Sequence, residues 1–199
     1  MATSVSQTPE ELVADLVLLL DLEPRGADRF VGRRKKGGIG RVFGGQVIAQ
    51  ALGAAERTVD TSRHAHSLHC YFLRGGNEEH PIDFMVERDF DGGSFSNRRV
   101  VASQQGQPIM NLTASFQAPQ EGLHHQFFPM PDVPGPDEIQ PEVQFRRELA
   151  EMVPNHYRDR LLAPWPIDTR QVEPRDWLNP GKESPQLHCW FRTVAPLHD

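Results

Sequence analysis

Gly44-Gly45-Gln46-Val47-Ile48-Ala49-Gln50-Ala51-Leu52-Gly53-Ala54-Ala55 is the stretch on which the fold turns. Val47, Ile48, Ala51, Leu52 and Ala55 recur at helical spacing and make one apolar face. Ala49, Ala51, Ala54 and Ala55 keep the helix slim enough to lie close against a sheet. The pattern predicts a helix from about Gly45 to Thr58. Four strand-like runs follow it: His66–Leu73, Ile82–Phe90, Ser94–Gln104 and Pro108–Gln117. Arg74-Gly75-Gly76-Asn77, Asp91-Gly92-Gly93 and Gln105-Gly106-Gln107 separate them. Short glycine turns of this kind predict antiparallel pairing between successive strands. Runs this long predict a strongly curved sheet. The fold class expected is α+β, with one long helix packed on one face of an antiparallel meander.

Upstream, Thr8-Pro9-Glu10-Glu11 is a capping box with proline at the first helical position. Leu12, Leu16, Leu19 and Leu20 then outline an amphipathic helix ending near Asp21. Arg33-Arg34-Lys35-Lys36-Gly37-Gly38 reads as a basic turn leaving an edge strand. Downstream, composition changes. Of 17 prolines, 13 lie from residue 119 onward. Proline lacks the N–H that inner strands and helix interiors need, so the compact sheet belongs to the first part of the chain. Residues 119–141 read as a linker.

Composition narrows the function. Apolar residues are 38% of the 199 and charged residues 24%, enough for a core, with a formal net charge of −6. An acidic chain lacks the overall field of a nucleic-acid binder. The block Leu16–Leu20 sits between Asp15 and Asp21, far short of the roughly 20 apolar residues of a membrane span. Cys70 and Cys189 stand far apart and no CxxC occurs, which argues against a disulfide scaffold or a cysteine zinc site. Residues 1–7 carry no basic segment of a secretory signal. The expectation is a soluble cytoplasmic protein with reduced thiols, bound to neither nucleic acid nor membrane.

Gly44, Gly45 and Gln46 are candidate substrate-binding residues. The first N–H groups of a helix lack internal partners and carry partial positive charge, and glycine lets a substrate oxygen come close. Such a site polarises a carbonyl, with the Gln46 side chain as a further donor. The plain alternative is that two glycines only allow a tight entry into a packed helix. A dinucleotide fingerprint fails, because Phe43 occupies the third glycine position of Gly38-Ile39-Gly40. His64 and His66 share one strand face and His69 the other if the strand is regular. No third metal ligand stands nearby, and ordinary polar histidines at a strand start are the plain alternative. No GxSxG elbow occurs, and Cys70 reads as a buried thiol. The run Arg33 to Lys36, with Arg41, suits phosphates such as those of coenzyme A, or is simply a solvated turn.

Four blocks stand in order: Arg41-Val42-Phe43-Gly44-Gly45-Gln46-Val47, His66-Ser67-Leu68-His69-Cys70-Tyr71-Phe72-Leu73-Arg74, Gly93-Ser94-Phe95-Ser96-Asn97-Arg98-Arg99-Val100 and Thr113-Ala114-Ser115-Phe116-Gln117. Together they resemble the N-terminal half of the type II (TesB-type) acyl-CoA thioesterases. The resemblance implies a double hotdog fold, two tandem domains that each wrap a long helix in an antiparallel sheet. It implies an acyl-CoA substrate, hydrolysed to fatty acid and coenzyme A with neither metal nor cofactor.

It further implies a division of the chain into an N-terminal helix at 1–24, a hotdog domain at 25–118, a proline-rich linker at 119–170 and the start of a truncated second hotdog at 171–199. The family's water-activating Asp, Ser or Thr, and Gln lie in that second domain, and no residue here matches them. His66 falls in the family's histidine-containing block and is the remaining candidate for a catalytic role. Residues 186–194 read as a first strand of the second half, an orphan with open edges. The chain is therefore expected to form a homo-oligomer or to pair with a second hotdog half. The alternatives are an acyl-CoA-binding half without turnover and a hotdog enoyl-CoA hydratase that works through a histidine.

Overall fold

The computed structural model describes residues 7–35, 37–38, 40–175, 181–182 and 184–198. Lys36 of the basic run and Ile39 of the glycine loop lie outside them, as do residues 1–6. Two compact units are present, residues 17–124 and residues 1–16 with 125–199.

Helix α1 (Pro9–Leu20) begins as its capping box requires. The Glu11 N–H donates to Thr8 Oγ1 at 3.2 Å, and the Thr8 N–H donates to Glu11 Oε2 at 2.9 Å. Strands β1 (Leu22–Pro24) and β2 (Arg29–Gly32) follow, then helix α2 (Gly44–Glu56). The sheet continues with β3 (His64–Phe72), β4 (Ile82–Asp91), β5 (Phe95–Gln104) and β6 (Gln107–Gln117). The six strands form one curved antiparallel sheet in the order β1-β2-β4-β5-β6-β3.

That order corrects two readings. The basic turn leaves β2, but β1 holds the edge and β2 lies one strand inside it. The strand β3 does not pair with β4; it crosses the sheet to lie antiparallel beside β6, from His64↔Gln117 to Phe72↔Met110. Residues 73–81 are thus a crossover and not a hairpin. The Gln104 side chain staples it, accepting from the Asn77 N–H and donating to the carbonyls of Asn77 and His80, each at 2.8 Å. The two true hairpins, β4–β5 and β5–β6, carry the other two glycine turns.

Helix α2 packs on the inner sheet face. Ala51, Ala54 and Ala55 have no exposed surface, so the absence of side-chain bulk sets the close approach. Beneath them lie Phe84, Val100, Met110, Leu112 and Phe116, each at most 1% exposed and each stabilising by about 1.5–3 kcal/mol through burial. The helix stops at Glu56, two residues before the expected end, because Thr58 closes it. Its N–H and its hydroxyl both donate to the Ala55 carbonyl, at 3.0 and 2.8 Å.

Register shifts set which residues face inward. An extra residue in β3, His66, sits between the pairs Ala65↔Phe116 and Ser67↔Ser115. The bulge breaks the alternation, so His64 and His66 do not share a face in the regular way the spacing predicted. A second shift places Ile109 between the partners of Ala102 and Ser103, and both Ile109 and Met110 are buried.

The other unit contains helices α3 (Glu142–Met152) and α4 (Asn155–Leu162) within the proline-rich stretch expected as a linker. Strands β7 (Ile167–Gln171) and β8 (Cys189–Thr193) pair antiparallel, Ile167↔Thr193 to Gln171↔Cys189. Residues 189–193 are therefore not an orphan strand; their partner lies in the stretch expected as linker. Arg170 joins the ribbon to the 136–139 turn, donating to Asp168 at 3.0 Å and to the Pro136 and Ile139 carbonyls. No described helix is long and apolar enough to cross a membrane.

Candidate functional site

The N-terminus of α2 opens onto a cleft of about 360 Å³. Three elements build it. Residues 41–43 lead into the helix and are strapped to the crossover by the Arg41↔Asn77 bridge and by the Val42 N–H bond to the Gly76 carbonyl at 3.0 Å. The end of β3 brings Phe72. The bulged Ile109 presents its carbonyl to the N–H groups of both Leu73 and Arg74, at 2.8 and 3.2 Å, which turns the chain out of the strand. Val42, Val47, Phe72 and Ile109 give the cleft an apolar wall, and Arg41 and Arg74 stand on it too.

At the helix entry the first backbone N–H groups are left uncapped by any side chain. Phe43 at the N-cap is extended and supplies no side-chain cap. The Gln46 and Val47 N–H groups already bond the Phe43 carbonyl, at 3.1 and 3.4 Å. The N–H groups of Gly44 and Gly45 come ahead of that ladder. Space at both positions is tight: a Cβ on Gly44 would stand 2.9 Å from Phe72 Cζ and one on Gly45 2.5 Å from Phe43 Cε1, so the exposed ring would have to shift in each case.

The structure separates the sequence candidates. Gly44 lines the cleft. Gly45 lies under the Phe43 ring, and Gln46 is buried. His66 is elsewhere. It lies six residues, about 20 Å of strand, from Phe72. There it meets Ser115 Oγ at 2.9 Å and stacks edge-on to Phe95 at 5.8 Å. Phe95 and Ser115 alternate with the inward Ser96, Ala114 and Phe116, so this cluster occupies the outer sheet face, away from α2. Cys70 packs against the core beside Leu112. The described residues of the basic run, Arg33 to Lys35, do not line the cleft; Arg33 leans toward Asp21 at 3.8 Å.

Arg74, Phe72 and Ile109 were not singled out by the sequence. The only signal was the glycine pair after Arg74, which read as a turn. Glu78, in the same crossover, is 5% exposed, and burial pushes its carboxyl above the usual range against the pull of Lys35. Its Oε2 has no hydrogen-bond partner among the described residues. No group of three or more His, Cys, Asp or Glu among those residues is arranged to hold a metal.

The acyl-CoA thioesterase N-terminal domain profile matches residues 33–117. The human acyl-coenzyme A thioesterase 8 is 37% identical over 198 residues, covering 92% of this chain and 60% of that protein. The crystal structure of the acyl-CoA thioesterase II TesB2 from Mycobacterium marinum superposes with a TM-score of 0.67 at 40% identity, over 91% of this chain and 61% of that one. A hot dog fold protein from Alicyclobacillus acidocaldarius gives a TM-score of 0.67 at 19% identity, over 88% and 61%, a likeness of fold alone. The chain thus spans about 60% of the length of the human relative.

Proposed function

We propose that the chain, whose residues 33–117 match the acyl-CoA thioesterase N-terminal domain, is a member of that family and serves the hydrolysis of fatty acyl-CoA to free acid and coenzyme A as one half of a double hotdog. The observation that carries the reading is the apolar cleft that ends at the open N-terminus of α2. The thioester carbonyl oxygen lies against the Gly44 and Gly45 N–H groups. Negative charge that develops on that oxygen as water attacks is stabilised there by donors that need no rearrangement, while Val42, Val47 and Phe72 hold apolar substrate. Removing one such donor in other hydrolases costs on the order of 100-fold or more in rate.

Among the described residues, the lining of the cleft contains no carboxylate and no histidine. A general base has to come from a second half, supplied by a further hotdog domain or by another copy of this chain. The free edge of the sheet supports that pairing. Strand β3 has one neighbour, is nine residues long, and carries no proline, lysine, arginine or carboxylate to blunt its edge. Its Leu68 and Phe72, opposite the buried Ala114 and Met110, remain 42% and 54% exposed. A helix and strand from a second half would cover them.

The test is thiol release from acyl-CoA esters of graded chain length by the purified chain, with its mass in solution measured on the same sample. Turnover in a species larger than one chain supports the paired enzyme. A monomer that binds acyl-CoA without turnover leaves this half a binding module and refutes self-pairing.

A further inference from the structure

Arg41 and Arg74 both line the cleft, and among the described residues neither has a carboxylate within ion-pair distance. Arg74 spends one N–H on the Pro108 carbonyl at 2.8 Å and so has a fixed direction with donors to spare. Arg41 lies across the crossover, its Nε 2.8 Å from where a Cβ on Gly75 would stand. Gly75 is therefore the bed on which the guanidinium rests. Several other exposed arginines of this unit are paired, Arg57 with Asp21, Arg88 with Asp28 and Arg99 with Glu87, and neither Arg29 nor Arg34 lines the cleft. Two unneutralised forked donors beside an apolar slot fit a ligand that is apolar at one end and polyanionic at the other.

We propose that Arg41 and Arg74 are the anchors for the phosphates of the coenzyme A moiety, with Gly75 kept free of a side chain so that Arg41 can lie in place. This inference rests on the acyl-CoA reading of the same cleft. It keeps Arg41 from the phosphate site read in the sequence and sets Arg74 beside it in place of the run at 33–36, because the crossover and the helix entry bring those two to one cleft. The apolar wall then takes the acyl or pantetheine portion, and specificity for coenzyme A over a bare thioester comes from the arginines.

The experiment is titration calorimetry with two non-hydrolysable thioethers, S-octyl-CoA and S-octyl-pantetheine, the second lacking every phosphate. The proteins are the full chain, Arg41→Ala, Arg74→Ala, Gly75→Ala and the distant control Arg88→Ala, with melting temperature recorded for each. Expected is a 5- to 20-fold weaker S-octyl-CoA affinity for Arg41→Ala and Arg74→Ala. Gly75→Ala gives a smaller loss, because its Cβ displaces only a flexible side chain. Salt dependence flattens in the arginine variants, S-octyl-pantetheine binding does not change, and Arg88→Ala behaves as wild type. Unchanged S-octyl-CoA affinity in both arginine variants overturns the proposal and leaves the acyl-CoA reading standing. Equal losses for both ligands also overturn it, since the arginines would then shape the cleft only. A wild-type chain that binds neither thioether removes the acyl-CoA reading of the cleft and the proposal with it.

Discussion

Arg98, 1% exposed, donates to Asp91 Oδ1 at 2.8 Å from beneath the C-terminus of α2. The same guanidinium donates to Thr58 Oγ1 and to the carbonyls of Thr58, Phe90 and Asn97, at 2.8 to 3.0 Å. It satisfies the helix end and the β4–β5 turn at once, and its charge opposes the negative pole of the helix. Arg98→Met keeps most of the volume but leaves the buried Thr58 carbonyl and the partly buried acceptors around it without this donor. It is expected to lower stability by about 3 kcal/mol, read from urea unfolding. Asp91→Asn should cost less, because the Asp91 side chain is half exposed while the backbone bonds of Arg98 remain.

Asp91 and Glu78 titrate with opposite effects on stability. Hydrogen bonds from Ser96 and then from Arg98 hold the Asp91 carboxyl below the usual range. Its contribution is present above the unfolded value near 4 and is lost as pH falls through the depressed folded value. Burial raises Glu78, so its contribution is greatest below the unfolded value and declines as pH rises through the folded one. Glu78→Gln is therefore expected to raise the melting temperature at pH 7 by about 1–3 °C and to lose that advantage near pH 4. Asp91→Asn should show the reverse slope below pH 4. Melting curves from pH 3 to pH 8 check both signs.

The elements with local signals were legible in the sequence. The alanine-rich face of α2, the capping box of α1 and the glycine turns at 92–93 and 105–106 each act within a few residues. The hotdog class followed from them and from the four blocks. What was not legible is non-local. Whether β3 meets β4 or β6 depends on where its ladder finds a partner, and nothing in Arg74-Gly75-Gly76 distinguishes a hairpin from a crossover. Strand β7 has a polar sequence, Ile-Asp-Thr-Arg-Gln, and is held by pairing with β8 some 20 residues on. The bulges at His66 and Ile109 each shift a face by one residue. One moves the candidate histidine out of regular alternation, and the other buries the residue that walls the cleft. Gly44 was legible as a candidate because a helix entry is a local feature; Arg41 and Arg74 as a pair were not, because only the crossover brings both to the cleft.

The β5–β6 hairpin turns on Gln105 and Gly106, at φ +50° and +74°. Positive φ at both positions is the type I′ geometry that favours Asn-Gly. Gln105 fills a left-handed position that asparagine tolerates better. Its side chain meets only His80 Nε2 at the surface, at 3.1 Å. Gln105→Asn is expected to stabilise by about 0.5–1 kcal/mol, a rise of about 1–4 °C in melting temperature. No change in thioether affinity should accompany it, since the turn does not line the cleft. A lower melting temperature would show that the His80 contact outweighs the backbone preference.

Gly44→Ala tests the helix entry without removing a hydrogen-bond donor. The new Cβ would meet the Phe72 ring at 2.9 Å, and Phe72, 54% exposed, has room to swing outward. Stability should change by less than about 1 kcal/mol, because Gly44 sits in the first turn of α2 and not in its interior. The cleft wall, however, moves with the ring, and the thioester carbonyl is held away from the Gly44 N–H. A displacement of about 1 Å at a reacting carbonyl costs on the order of 100-fold in rate. In a preparation that releases thiol, kcat/KM should fall by at least tenfold while the melting temperature stays near wild type. Phe72→Ala made in the Gly44→Ala background relieves the clash. If it restores part of the lost rate, the ring is the cause; if the single variant retains full activity, the carbonyl does not lie at the N-terminus of α2.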